Sequence, residues 1–157
     1  FTSLRSDDMA TITSTPTATS LKISGNTTVN GTISWTCPTI PSDCTIVSCV
    51  LTGTVTKSMS KGNCTVKVNG ETIEESFTID LGTSNTTSSV ATSGSGGNKN
   101  ASGTVTFTNL LYTVTYKEPS VGIFNLKSGQ STITDMRVGE TKIIRVYIGN
   151  TIIFENI

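Results

Sequence analysis

The feature that most constrains this chain is the spacing of its apolar residues, which alternate with polar ones at period two from Leu21 onward. Leu21 and Ile23 flank Lys22, and Ile33 and Trp35 flank Ser34. Val47, Cys49, Leu51 and Val55 share one parity, as do Cys64, Val66 and Val68, and then Phe77, Ile79 and Leu81. Successive strand side chains point to opposite faces, so this pattern predicts half-buried β-strands. No stretch of a dozen residues keeps a helical period, so no substantial helix is expected. Asn69-Gly70 falls between two alternating runs and predicts a tight hairpin, because both turn positions need positive φ. Asn30-Gly31 is read in the same way as a turn.

Two further stretches refine this reading. In residues 104–116, Val105 and Phe107 have odd parity, whereas Leu110, Tyr112, Val114 and Tyr116 have even parity. The inward face slips by one residue around Thr108-Asn109, which predicts a β-bulge or a corner between sheets. Residues 82–103 are rich in Gly, Ser and Asn; they predict a loose region with a long turn at 94–100 and at most a short strand at Val90. The fold class that follows is all-β: an antiparallel β-sandwich or jelly roll over residues 21–118. Residues 1–20 are polar and interrupted by Pro16, and are expected to form an extended arm or linker.

Beyond Glu118-Pro119 the pattern changes. Residues 136–144 and 146–154 align at an offset of ten, with Val138-Gly139-x-Thr141 recurring as Ile148-Gly149-x-Thr151. Each copy predicts a strand, a glycine-centred turn and a second strand, so residues 121–157 form a small C-terminal β-hairpin repeat module. Such a unit buries too little surface to stand alone. Ile143, Ile144, Ile148, Ile152, Ile153 and Phe154 are the residues expected to bury it in an assembly interface.

Composition and charge exclude several function classes. Lys and Arg number 11, Asp and Glu number 11, and histidine is absent. Histidine-dependent nucleophilic catalysis and His-ligated metals are thereby ruled out. A balanced, sparsely charged chain offers no footprint for nucleic acid or an anionic membrane, and no apolar run is long enough for a membrane span. Glu74 and Glu75 are adjacent and point to opposite faces of a strand, and Asp80 reads as the solvent face, so no carboxylate pair is placed for acid–base catalysis. The expectation is a protein without enzymatic activity or cofactor.

Four cysteines, Cys37, Cys44, Cys49 and Cys64, lie within 28 residues at a spacing unlike that of zinc knuckles. They are either candidate disulfide partners or reduced thiols acting as small core hydrophobes. Cys37 and Cys44 bracket a proline-stiffened loop, and Cys49 and Cys64 are expected on adjacent strands. Asn-x-Ser/Thr triplets begin at Asn26, Asn30, Asn63, Asn85 and Asn100; in a chain this rich in Asn, Ser and Thr they are read as chance matches. Trp35, Tyr112 and Tyr116 form either an aromatic glycan platform or, as their parity favours, part of the core.

The ending VGETKIIRVYIGNTIIFE, residues 138–155, resembles the short glycine-turn repeats that close many structural proteins of tailed bacteriophages. Residues 33–35, 50–53, 79–87 and 103–118 are similar to β-sandwich modules of phage tail, fibre and head-surface proteins. The resemblance implies a virion structural protein: a fibre, decoration protein or tail-tip component, assembled in the bacterial cytoplasm and carried on the extracellular particle. Its implied partners are other virion proteins, copies of itself (a homo-oligomer, by family analogy a trimer) and a host cell-surface glycan. A carbohydrate-binding adhesin module and a pilus or filament subunit are the alternatives. In the latter, the arm at residues 1–20 would lie along a neighbour's sheet edge.

Overall fold

The computed structural model describes residues 9–118 and four short strands beyond them, at 125–128, 131–134, 145–148 and 151–155. The described residues are all-β, without a helix. The chain divides into two compact units, one of which is Met9–Glu118.

Met9–Glu118 holds ten strands: β1 (Met9–Ser14), β2 (Thr17–Ala18), β3 (Leu21–Ser24), β4 (Thr28–Ser34), β5 (Thr45–Lys61), β6 (Cys64–Val68), β7 (Glu71–Ile73), β8 (Ser76–Asp80), β9 (Ser89–Gly96) and β10 (Ser102–Lys117). They form two antiparallel five-stranded sheets. One runs β1-β10-β5-β8, with β3 pairing further along the same β10. The other runs β2-β4-β9-β6-β7. Leu21, Ile23, Leu51, Val105, Tyr112 and Val114 from the first sheet share one buried cluster with Ile33, Val66, Val68 and Val90 from the second. These are the inward positions of the period-two pattern, and their burial is the main stabilising term.

The Asn69-Gly70 turn forms as expected, with φ of 50° and 83°, and joins β6 to β7. The slip near Thr108-Asn109 is also present. Thr108 pairs with Thr54 and Leu111 with Thr52, so β10 carries one residue more than β5. Asn109 takes the left-handed conformation, φ 52°, that such a bulge requires. Phe107 and Tyr112 consequently both reach the core.

Five expectations are corrected. First, residues 9–18 are not an arm: β1 pairs with β10 from Met9↔Lys117 to Ser14↔Tyr112, and β2 pairs with β4. Their Thr-rich, polar composition hid them because an edge strand has one face to bury, and here that face is only partly buried. Second, Asn30-Gly31 lies inside β4 and not at a turn. A Cβ on Gly31 would sit 2.7 Å from Leu21 Cδ2, so this glycine makes room for a core side chain. Third, β9 runs to Gly96 through the region read as loose and is paired on both sides, with β4 and β6. Its inward row is Val90, Thr92 and Gly94, which carries little hydrophobic signal. A Cβ on Gly94 would meet Ile23 Cδ1 at 2.7 Å. Fourth, Val47 is 37 % exposed, because a second register shift between Thr115 and Tyr116 leaves it as the extra residue of β5. Fifth, Cys49 and Cys64 are not on adjacent strands: β5 and β6 belong to different sheets.

Beyond residue 118, β11 (Asn125–Ser128) pairs antiparallel with β12 (Ser131–Thr134), and β13 (Arg145–Ile148) with β14 (Thr151–Glu155). The second copy of the aligned repeat is therefore a strand pair. Most of the first copy, 136–144, lies outside the described residues. The β11–β12 pair was not anticipated.

Candidate functional surface

The connections gathered at the two ends of Met9–Glu118 differ in chemistry. At one end Met9 pairs with Lys117 and Lys117 with Thr45, so the chain enters and leaves side by side. The connections β4–β5 (35–44) and β8–β9 (81–88) close this end. At the other end are three short loops: 25–27 between β3 and β4, 62–63 between β5 and β6, and 97–101 between β9 and β10.

The entry end is held by a pair of buried aromatic rings and a half-buried polar cluster. The rings of Trp35 and Tyr112 stack with centroids 4.8 Å apart at 28°. Tyr112 donates its hydroxyl proton to Asn85 Oδ1 at 2.9 Å, and Asn85 Nδ2 donates to the Pro38 carbonyl at 2.7 Å. The Cys37 thiol donates to the Thr87 carbonyl at 3.3 Å, and the Trp35 amide to the Ser88 carbonyl at 2.9 Å. Together these bonds tie the 35–44 connection to the 81–88 connection across the core. Burial pushes the Tyr112 phenol far above its ordinary range, and the neighbouring Cys49 adds to the shift. Burial likewise raises the Cys64 thiol, partly opposed by Lys57.

The aromatic residues and the thiols named from the sequence sit as follows. Trp35, Tyr112 and Tyr116 are 7, 0 and 9 % exposed. A sugar platform needs an open ring face, and these rings have none. Cys37, Cys49 and Cys64 are unbridged thiols, Cys49 and Cys64 buried and Cys37 half-buried. Cys44 is half-buried in the 35–44 connection. Asn85, singled out only as an Asn-x-Thr triplet, is the residue that sequence reasoning missed. Nothing in its polar neighbourhood marks it as the partner of a core tyrosine. Of the assembly residues, Ile148 ends β13, and Ile152, Ile153 and Phe154 lie on β14. Ile143 and Ile144 are outside the described residues.

The opposite end is built backbone against backbone. Gly25 donates its amide to the Ala101 carbonyl at 2.8 Å, and Gly97 donates to the Asn63 carbonyl at 2.9 Å. Asn98 Oδ1 accepts from the Asn100 amide at 2.9 Å, and Ala101 is buried beneath the loops at 3 % exposure. A Cβ on Gly96 would collide with the Gly25 carbonyl oxygen, and one on Gly97 with Asn63 Oδ1. The glycines that made this region look loose are there for close approach of main chains. What the loops expose is polar: Asn26, Asn63, Asn98, Lys99 and Asn100.

Comparison with known proteins gave no match to a family model, a curated protein or a solved structure.

Proposed function

We propose that the chain is a non-enzymatic structural protein on the surface of a bacteriophage virion. Its Met9–Glu118 unit is a β-sandwich of jelly-roll type, directed away from the particle. The observation that carries this reading is the Met9–Lys117 pair. Both connections to the rest of the chain leave from one end, which is the arrangement of a module hung from a base with its far end free. The glycine-turn repeats beyond residue 121 supply the base, making strand-edge and apolar contacts with other virion proteins and with copies of itself, in a trimer by analogy. Buried Trp35, Tyr112 and Tyr116 weigh against an adhesin acting through those rings. The pairing of β1 within its own chain weighs against a pilus subunit that donates this strand to a neighbour.

The test is made on purified particles from an infected culture. Mass spectrometry should find the chain in them, and antibody fragments raised against the 25–27, 62–63 and 97–101 loops should decorate intact particles. Absence of the chain from particles, or its finding as a free monomer that turns over a substrate, defeats the reading.

A further inference from the structure

The chain is neutral, and so is Met9–Glu118 taken alone, with Lys22, Lys57, Lys61, Lys67, Lys99 and Lys117 against Asp43, Glu71, Glu74, Glu75, Asp80 and Glu118. Three of the cations gather at one end. Lys61 ends β5 opposite Ser102, Lys22 pairs with Thr104 on the other side of β10, and Lys99 lies in the 97–101 loop beside Gly25. Strand spacing puts Lys22 and Lys61 on the order of 10 Å apart across β10. All three side chains are exposed. None of the three loops at this end carries a carboxylate; Glu74 and Glu75 lie in the β7–β8 connection beside β5, and Glu74 is held by Lys57 at 2.8 Å. Glu71 pairs with Val68 away from this tip, and Asp43, Asp80 and Glu118 sit toward the entry end, where Lys117 also lies.

From this segregation we infer that the tip made by loops 25–27, 62–63 and 97–101, with Lys22, Lys61 and Lys99, binds a polyanionic polysaccharide. Like charges brought together without counter-charges create a field that a balanced net charge conceals. The loops are braced by main-chain hydrogen bonds, so the cations and amides are displayed without ordering a mobile segment. Asn26, Asn63, Asn98 and Asn100 add amide donors and acceptors among the cations, the groups that sugar hydroxyls pair with. Single-stranded nucleic acid is the poorer partner. It is held largely by base stacking on aromatic rings, and Trp35, Tyr112 and Tyr116 are all buried.

The inference takes only its setting from the outward-facing reading above, and it is tested on the isolated full chain. Oligogalacturonate, which bears a carboxylate on each ring, is titrated at low salt while backbone amide signals are followed by NMR. A neutral maltooligosaccharide and an oligodeoxythymidine serve as comparisons. Oligogalacturonate should shift signals of 25–27, 61–63 and 97–101. The triple variant K22Q/K61Q/K99Q should bind roughly tenfold more weakly, as expected for three exposed charge contacts. Its thermal midpoint should be unchanged, since surface substitutions of this kind are near neutral. Absence of binding, equal binding of the neutral sugar, tighter binding of the DNA, or undiminished binding by the triple variant each overturns the inference. Decoration of particles by tip antibodies without polyanion binding removes this inference alone. Polyanion binding by a chain absent from particles removes the virion reading alone.

Discussion

At the scale of single residues, Tyr112 joins the core to the 81–88 connection. It is fully buried, stacks on Trp35 and is the donor that satisfies Asn85. Tyr112→Phe keeps the ring and leaves the half-buried Asn85 Oδ1 without that donor, which should cost about 0.5–1.5 kcal/mol in denaturant unfolding. Trp35→Ala removes the stacked partner and should cost about 3–5 kcal/mol. The Tyr112 phenol also sets a pH dependence. Its proton is held more tightly in the folded chain than in the unfolded one, where it leaves near the ordinary value of 10.0. Above that pH the folded state binds more protons, so stability falls as pH rises. Below it this group contributes no slope. Cys64, raised from 9.0, begins the same decline about one unit earlier. Unfolding free energy should therefore drop from about pH 9 upward, and Tyr112→Phe should flatten the part beyond pH 10. An alkaline limb identical in the variant and the parent would show that Tyr112 is not its source.

At the scale of elements, legibility followed the side chains that carry a hydrophobic or turn signal. The Asn69-Gly70 hairpin and the slip at Asn109 could be read because each leaves a mark in sequence: a dipeptide suited to positive φ, or a change of parity among large residues. Strand β9 could not, because two of its three inward positions are Thr92 and Gly94, and the core side chains that cover Gly94 come from β3. Asn30-Gly31 misled for the same reason, since a glycine that admits Leu21 looks like a glycine that turns the chain. Asn85 left no trace at all, because its role depends on two loops meeting. The bulge itself can be tested. Asn109→Gly should be neutral or slightly stabilising at φ 52°. Asn109→Val should cost about 1–2 kcal/mol, the penalty of a branched side chain in the left-handed region. Equal stability of the two variants would mean that the bulge relaxes.

At the scale of the molecule, the boundary of the folded unit moves from residue 21 to residue 9. Deleting residues 1–8 should leave the unfolding transition of Met9–Glu118 intact. Deleting 1–20 strips β1 from β10 and β2 from β4 and removes Ile12 and Ala18, which pack on the core. That deletion should lower the denaturation midpoint markedly or prevent folding, even though half of the lost segment is threonine and serine. Equal midpoints for the two truncations would restore the linker reading.

The side-by-side pairing of Met9 with Lys117 has a mechanical consequence. Tension applied between the two chain exits peels β1 from β10 one rung after another, beginning at that pair, because antiparallel hydrogen bonds lie across the strands. Tension between the tip and the exits instead runs lengthwise along β5 and β10 and loads their many rungs at once. The module is thus stiff against a tug on its far end, and weak against having its own two stems pulled apart.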